Sequence, residues 1–133
     1  MEKENSKQQE LMFKFSVFEQ QIRQLQEQLQ AVEQALVETS SLNIGLDELK
    51  KGKEKEILAS IGKGIFVKSK ITSENLIVDV GGKNFVKKSV EETQNIIQEQ
   101  IRKLESIKEE LNHNLEQINQ EITKAFMEAQ EEQ

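Results

Sequence analysis

The sequence contains no cysteine, no proline, no tryptophan and no tyrosine. Without cysteine there can be no disulfide and no cysteine-based metal site, which fits a reducing compartment. Without proline, long helices can run uninterrupted, because a proline in a helix interior costs about 3 kcal/mol. No apolar run reaches the roughly 18–20 residues that a membrane span needs, and the start MEKENSKQQE lacks the apolar core of a signal peptide. We therefore predict a soluble cytoplasmic protein without a membrane segment.

The composition is too polar for one compact core. Only 35% of the 133 residues are hydrophobic and 5% are aromatic, whereas 32% are charged. The length allows one domain. The net charge of −6 is unevenly distributed, because residues 50–88 hold ten lysines against four acids, while both flanking segments are acidic. A basic centre can indicate nucleic-acid binding, but only Phe66 and Phe85 offer aromatic platforms there. Lysines that discourage unwanted strand pairing explain the pattern better, so we predict no nucleic-acid partner.

Residues 54–88 alone have the period-two pattern of half-buried β-strands, which alternates through 57–61 and 65–71. The pattern predicts two β-hairpins joined by residues 72–75. The first hairpin turns at Gly62-Lys63-Gly64 and the second at Gly81-Gly82, because glycine accepts the positive φ angles of two-residue turns. An isolated two-stranded hairpin is marginal in water. We therefore expect both hairpins to pair with partners outside this chain.

A heptad pattern precedes the strands. Apolar residues recur at alternating intervals of four and three, at Leu11, Phe15, Phe18, Ile22, Leu25, Leu29, Val32 and Leu36. So narrow an apolar seam predicts a coiled-coil helix over about residues 5–41, preceded by a polar segment that frays. At Thr39-Ser40-Ser41, hydroxyl side chains compete with the helix for backbone hydrogen bonds. We therefore predict a bend and one short helical turn, GLDELKK, within residues 42–53.

A second heptad pattern follows the strands. Ser89 and Glu92 have the spacing of a capping box, which predicts a helix over residues 89–131. Its apolar seam residues are Val90, Ile97, Ile101, Leu104, Leu111, Leu115, Ile118, Ile122, Ala125 and Ala129, and its polar interruptions are Gln94 and Lys108. Because the chain leaves along one arm and returns along the other, we predict an antiparallel coiled-coil hairpin with arms roughly 50–60 Å long.

Four large apolar side chains fall outside the seams near the free ends of the arms. They are Met12, Phe13, Phe126 and Met127, at heptad positions e and f. Exposed apolar surface usually marks a binding site, and methionine suits varied partners because its thioether is flexible and polarisable. If Leu36 lies roughly opposite Ile96 or Ile97, residues 122–129 face polar residues 1–9, and the end of the second arm is partly open. The alternative is that Phe13 and Phe126 cover each other.

Enzymatic interpretations find little support in the sequence. His113 is the only histidine and falls at an outward heptad position, so a transition metal would be left with carboxylates alone. The sequences GKG and VGGK lack the spacing and the strand-to-helix context of a phosphate-binding loop. Paired acids such as Glu91-Glu92 are typical of a helix surface. We predict no enzymatic activity, no catalytic residues, no cofactor and no metal site.

The segments of the chain are, in order, a heptad arm, EILASIGKGIFVKSKI, NLIVDVGGKNFVKKSVEE and a second heptad arm. In the order of these segments, the chain resembles the alpha-class subunit of archaeal prefoldin, a chaperone. The resemblance covers almost the whole chain. Its specific part is the pair of hairpins, with IGKG in the first turn, VGG in the second and SVEE where the returning helix starts. Two hairpins mark the alpha class over the beta class. Ala59-Ser60 stands where many relatives have a proline.

The resemblance implies an α+β fold in a single prefoldin-like domain, residues 1–133. In this fold a long antiparallel coiled-coil hairpin carries two β-hairpins at its base, which contribute to an oligomeric β-barrel. It also implies a hexamer of two alpha and four beta subunits, and therefore a second copy of this chain. Unfolded polypeptide is held among the arm tips without ATP and passed to a group II chaperonin.

By analogy, two sets of residues are expected to act in such an assembly. Those expected to contact unfolded clients are Met12, Phe13, Phe126 and Met127, helped by Leu11, Phe15 and Ile122 if the tips unwind. Those expected in the barrel are Ile65, Val67, Ile77, Val78 and Val80.

Two hypotheses from different classes remain. The first is an ATP-independent chaperone subunit that binds unfolded protein at its coiled-coil tips. The second is a prefoldin-like structural protein whose β-hairpins polymerise with copies of themselves into a filament or scaffold. The native mass of the chain, alone and with a beta-class partner, distinguishes a discrete hexamer from an open-ended series.

Overall fold

The structure is a computed structural model that describes residues 2–50, 52 and 54–131. Along the chain it contains α1 (Glu2–Leu49), β1 (Glu56–Gly62), β2 (Ile65–Lys70), β3 (Asn75–Asp79), β4 (Phe85–Ser89) and α2 (Val90–Glu131). Two long helices form a hairpin, and the two β-hairpins lie between them in the chain. The predicted fold class, a helical hairpin with two β-hairpins, is therefore confirmed.

The chain forms two compact units. The arm unit lies within Met1–Ala35 and Leu104–Gln133, and the hairpin unit lies within Leu36–Lys103. The arm unit contains the first part of α1 and the last part of α2. The hairpin unit contains the four strands with the helical segments that flank them.

Helix α1 is longer at both ends than the sequence predicted. It is helical from residue 2, where a frayed segment was expected, and Glu2 and Glu4 in its first turn favour the positive end of the helix dipole. It also continues through residues 39–41 to Leu49. The predicted bend and separate helical turn within 42–53 are therefore wrong for the residues that the structure describes. Lys51 and Lys53 lie outside the described residues.

The physical reason for this extension is that the buried heptad stripe continues beyond Leu36 to the apolar Leu46, although its next two positions are polar. Thr39 and Asn43 take the next two seam positions and are half-buried, and Leu46 follows at 6% exposure. Packing along this continuing stripe outweighs the local preference of hydroxyl side chains for non-helical backbone.

In the arm unit, the predicted seams are the contact surface between the helices. All predicted seam residues from Leu11 to Val32 and from Leu104 to Ala129 are buried or half-buried. Phe18 and Leu111 are each 8% exposed, and the rings of Phe15 and Phe18 meet edge to face with their centroids 6.5 Å apart. The heptad pattern alone therefore located this core.

The predicted register between the two helices is wrong. Lys108 Nζ lies 3.9 Å from Glu33 Oε1, whereas pairing Leu36 with Ile97 would place residue 33 opposite residue 100, roughly two helical turns away. With the observed register, Ala125 is buried at 8% exposure, and it lines one groove together with Leu11 of α1. The end of α2 therefore has an apolar partner and is not open as predicted.

The hairpin unit has a small apolar core where the second hairpin meets the helices. Leu46, Val90 and Ile97 are its buried members, with Leu49, Leu76 and Ile101 packed against them. Leu76 belongs to β3, so this core attaches the second hairpin to both helical segments. Ser89 ends β4 and caps α2: its hydroxyl accepts a hydrogen bond from the Glu92 amide at 3.1 Å and donates to the Glu92 carboxylate at 3.2 Å. The hydroxyl half of the predicted capping box is therefore present, whereas the Glu92 carboxylate bonds the Ser89 hydroxyl and not the Ser89 backbone amide.

The first hairpin pairs β1 with β2 in antiparallel register, for example Ala59 with Val67, and contains a bulge between Ser60 and Gly62. Its turn consists of two residues, Lys63 and Gly64, with φ angles of 52° and 78°. A two-residue turn of this kind matches the right-handed twist of the strands. The predicted turn at residues 62–64 is confirmed.

The second hairpin pairs β3 with β4, but its connection is longer than predicted. Residues 80–84 join the strands, so the predicted two-residue turn at Gly81-Gly82 is wrong. The Gly81 amide donates to Asp79 Oδ1 at 2.9 Å, and the Asn84 amide donates to the Gly81 carbonyl at 3.1 Å. The aspartate side chain thus starts the turn before the first glycine, and residues 81–83 all have positive φ angles.

Candidate functional site

The four predicted client-contact residues lie on the solvent-facing surfaces of the arm unit. Met12 and Phe13 on α1 are 72% and 73% exposed, and Phe126 and Met127 on α2 are 56% and 61% exposed. We call these four residues the tip surface. Met12 and Phe13 directly follow the seam residue Leu11, and Phe126 and Met127 directly follow the seam residue Ala125. The heptad geometry that turns the seam residues inward therefore turns these neighbouring side chains outward.

The alternative in which Phe13 and Phe126 cover each other does not fit these exposures. Both rings keep more than half of their surface accessible. The aromatic ring contact in the arm unit is that between Phe15 and Phe18, on the other side of α1. The tip surface is therefore apolar area in contact with solvent.

The three residues expected to help the tip surface have a different environment. Leu11, Phe15 and Ile122 are half-buried at seam positions. A groove of about 750 Å³ lies beside Leu11, lined by Lys3, Glu4, Lys7, Gln8, Glu10, Leu11, Lys14, Ala125, Glu128 and Ala129. Its rim carries charges of both signs and its apolar floor is narrow. Leu11 is thus reached from this groove, whereas Phe15 and Ile122 do not line it.

The first β-hairpin exposes apolar side chains on both faces. Ile65 and Val67 lie on one face with exposures of 57% and 48%, and neighbouring residues of a strand point to opposite faces. The other face presents Leu58 and Phe66, at 66% and 58% exposure. Within the described part of the chain, these four side chains therefore stay about half exposed or more, whereas Ala59 and Ser69 on the face of Val67 are half-buried.

The second β-hairpin has one face against the helices. Leu76 packs on the core of the hairpin unit and Val78, two residues on, is half-buried on the same face. Ile77 and Phe85 lie on the opposite face and are 72% and 64% exposed. The five predicted barrel residues therefore do not share one surface, because Ile77 and Val78 point to opposite sides of the same strand.

Sequence reasoning missed several exposed apolar residues. Val37 and Ile44 on α1 are about two-thirds exposed, and Leu42 is 55% exposed. Val37 and Ile44 are one heptad apart outside the seam, which was the available signal. Leu58, Phe66 and Phe85 were not assigned to a surface either, although their strand positions alternate with those of predicted barrel residues.

The part of the chain that the structure describes contains no cluster of metal-binding side chains. Among the described residues, no group of three or more histidine, cysteine, aspartate or glutamate side chains lies close enough to hold a metal ion. His113 is exposed on α2. Within the same residues, neither helix has an apolar stretch long enough to span a bilayer.

The prefoldin fold is defined by two paired helices with two β-hairpins between them in the chain. Here apolar surface is left exposed on the hairpins and near the helix ends. The chain belongs to the prefoldin family: the family model of the prefoldin subunit matches residues 18–133. Members of this family are non-enzymatic chaperone subunits, and prefoldin subunits assemble in hexamers.

Similarity to individual proteins agrees with this assignment. Over 91 residues the chain is 26% identical to prefoldin subunit alpha of Methanosphaera stadtmanae, a match that covers 68% of this chain and 66% of that relative, slightly less than two thirds of its length. This is distant homology to an archaeal alpha subunit, as the sequence predicted. In fold, the chain is similar to a chain of filamentous PFD from Methanocaldococcus jannaschii, determined by cryo-EM. The two have a TM-score of 0.76 and 20% identity, covering 86% of this chain and 97% of that one.

Proposed function

We propose that this chain is a subunit of an ATP-independent molecular chaperone and that it holds unfolded polypeptide at its tip surface. The observation that carries this proposal is the exposure of Met12, Phe13, Phe126 and Met127, each more than half accessible in a chain whose seams bury their neighbours. Unfolded clients expose apolar segments of varied sequence, and a pair of flexible thioethers beside two rings can adapt to them.

The β-hairpins are the proposed assembly surface. Ile65, Val67, Ile77 and Val80 are each about half exposed or more, and two-stranded sheets are marginal without further strands. We propose that they join hairpins of four beta-class subunits and of a second copy of this chain in one β-barrel platform. Val78 is half-buried within its own chain, so its part in the platform is to support β3 from the inner face.

The remaining part of the proposal concerns the fate of the client. In this proposal a group II chaperonin receives the polypeptide, no nucleotide is consumed by this chain, and the assembly works in the cytoplasm. Family membership supports this part, since prefoldin subunits are chaperone subunits without enzymatic activity.

The tip assignment is tested with four serine substitutions, Met12→Ser, Phe13→Ser, Phe126→Ser and Met127→Ser, in the chain assembled with a beta-class partner. Suppression of aggregation of a denatured protein, without nucleotide, is measured by light scattering. We expect suppression to be lost while the melting temperature stays within a few degrees, because exposed side chains contribute little to stability, typically about 0.5 kcal/mol or less each.

A matched control carries Val37→Ser and Ile44→Ser, which remove equally exposed apolar residues from the hairpin unit. This control should keep its suppression. Equal loss in both variants would mean that any exposed apolar residue serves, and full suppression by the tip variant would refute the tip assignment.

A second candidate function is a structural protein that polymerises through its hairpins. The observation that favours it is the bare second face of the first hairpin, where Leu58 and Phe66 are exposed; a chain of similar fold comes from filamentous PFD. Native mass spectrometry separates the two. A discrete hexamer formed only with a beta-class partner supports the chaperone subunit, and an open-ended series formed by this chain alone supports the filament.

A further inference from the structure

The apolar seam of α2 has two polar interruptions, and each has a polar partner on α1. Gln94, only 7% exposed, donates from Nε2 to Asp47 Oδ1 at 2.7 Å and approaches the carbonyl of Asn43 at 3.4 Å. A buried amide without a partner is costly, and a hydrogen bond to a carboxylate is stronger than one between neutral groups. Asp47, with the Asn43 carbonyl, therefore supplies the partner that the buried Gln94 amide needs.

The second interruption has the same arrangement. Lys108, half-buried, places its Nζ 3.9 Å from Glu33 Oε1. Gln94 and Lys108 are two heptads apart on α2, and their partners Asp47 and Glu33 are likewise two heptads apart on α1. Both contacts thus correspond to one and the same antiparallel register of the helices.

Over most of its length the apolar seam does not select that register, because its pattern repeats every seven residues. Along the middle of the helices a shift of α2 by one heptad again places apolar side chains against apolar side chains, although one of the two shifts sets Ala125 and Ala129 against polar residues 1–9. In one direction the shift puts Gln26 opposite Lys108 and Ser40 opposite Gln94. In the other direction the shift puts Ser40 opposite Lys108. It then puts Glu54 opposite Gln94, and Glu54 lies beyond the end of α1. Neither shift gives Lys108 an acid.

We propose that Gln94 with Asp47 and Lys108 with Glu33 are the residues that specify the register of this helical hairpin. An ion pair exposed to this degree adds little net stability, and a polar residue at a seam position is known to select register at a cost in stability. The two pairs therefore discriminate against shifted pairings more than they strengthen the native one. This inference is independent of what the tip surface binds.

The experiment measures the register directly. Because the chain has no cysteine, spin labels attach only at introduced ones, and Gln20→Cys on α1 with Glu105→Cys on α2 puts both labels at exposed positions of the arm unit. The two positions are offset along the helices, so a shift by one heptad changes their separation by about 10 Å. Pulsed electron paramagnetic resonance reads this distance, with unlabelled chain in excess to remove distances between copies.

The test variant carries Gln94→Leu and Lys108→Leu, and the matched control reverses one pair with Glu33→Lys and Lys108→Glu. We expect a single distance between the two spin labels, the same in the parent chain and in the variant with the reversed pair. The test variant should show a second distance in at least about one tenth of the molecules, the population expected when two registers lie within about tenfold of each other.

Two results would overturn the proposal. A single, parent-like distance in the test variant would mean that the connecting hairpins or the apolar side chains set the register. Loss of helical circular dichroism in that variant would mean that the polar pairs are required for folding itself, since leucine at both positions should preserve the helices.

Discussion

The apolar core of the hairpin unit can be tested by one substitution with a matched control on the same helix. Ile97 of α2 is 4% exposed and packs with Leu46 and Val90, beside Leu76 of the second hairpin. Replacing it with alanine removes three carbon atoms from this cluster and leaves a cavity that three different elements border. Because these elements are held together chiefly by this cluster, little rearrangement can fill the space.

The expected loss follows from that burial. Truncation of a buried isoleucine to alanine costs about 2–5 kcal/mol, and the better helix propensity of alanine returns only about half a kcal/mol. A net loss of about 2–4 kcal/mol should lower the melting temperature by roughly 6–15 °C for a chain of this size. The measurement is thermal unfolding followed by circular dichroism, at one fixed chain concentration because assembly also affects stability.

Ile107→Ala is the control, since Ile107 lies on the same helix but is 45% exposed. The same chemical change should there cost less than about 1 kcal/mol. If both variants melt at the same temperature, the small cluster around Ile97 is not the stabilising core, and the packing described for the hairpin unit is refuted.

Three further changes have definite expected outcomes. Gly45→Ala should raise the melting temperature by a few degrees, because Gly45 lies within α1 with open space around its α-carbon and glycine costs about 1 kcal/mol there; a lower melting temperature would contradict this. Ser89→Ala should cost about 0.5–2 kcal/mol through loss of the α2 cap, measured by urea unfolding, whereas Ser89→Asp should retain most of the stability. Peroxide oxidation of Met12 and Met127 to sulfoxides should weaken client holding, because it makes both side chains polar. A Met12→Leu, Met127→Leu variant should keep its client holding after peroxide treatment. If the parent and this variant lose client holding equally, the methionines are excluded as the cause.

The helices were predictable because their seams are a repeating, one-dimensional signal. Every seam residue assigned from Leu11 to Val32 is buried or half-buried. The same signal failed to set the register, because a heptad repeat looks the same after a shift of seven residues. The polar interruptions Gln94 and Lys108 carry register information that the apolar repeat lacks, but their partners Asp47 and Glu33 become evident only in three dimensions.

Two other errors have a local cause. The bend expected after Leu36 rested on the propensities of Thr39 and its neighbours, which packing at seam positions overrides. The second turn was assigned from its glycine pair, but the Asp79 side chain bonds the Gly81 amide and starts the turn earlier. Side-chain hydrogen bonds of this kind depend on the rotamer, which the order of residues alone does not give.

The tip surface could be found in the sequence because it violates the heptad pattern. Met12 and Phe13 stand where a coiled coil usually carries polar residues, and the structure leaves both exposed. The hairpin surfaces were harder to assign. The first hairpin alternates with period two, but Leu58 and Phe66 place apolar side chains on its other face as well. The alternation therefore does not tell an inner side from an outer one, and for that reason Leu58 and Phe66 were overlooked.

The two hairpins differ in how much apolar surface their own chain covers, and this difference bears on the choice between the two proposed assemblies. The second hairpin has Leu76 against the helices, so one of its faces is partly covered within the chain. The first hairpin has apolar side chains that are about half exposed or more on both faces. A closed barrel covers the inner face of each strand and leaves the outer face to solvent, whereas a continuing polymer can cover both. Burial of Ile65 and Val67 is therefore common to the two assemblies, and Leu58 and Phe66 are the residues at which they differ.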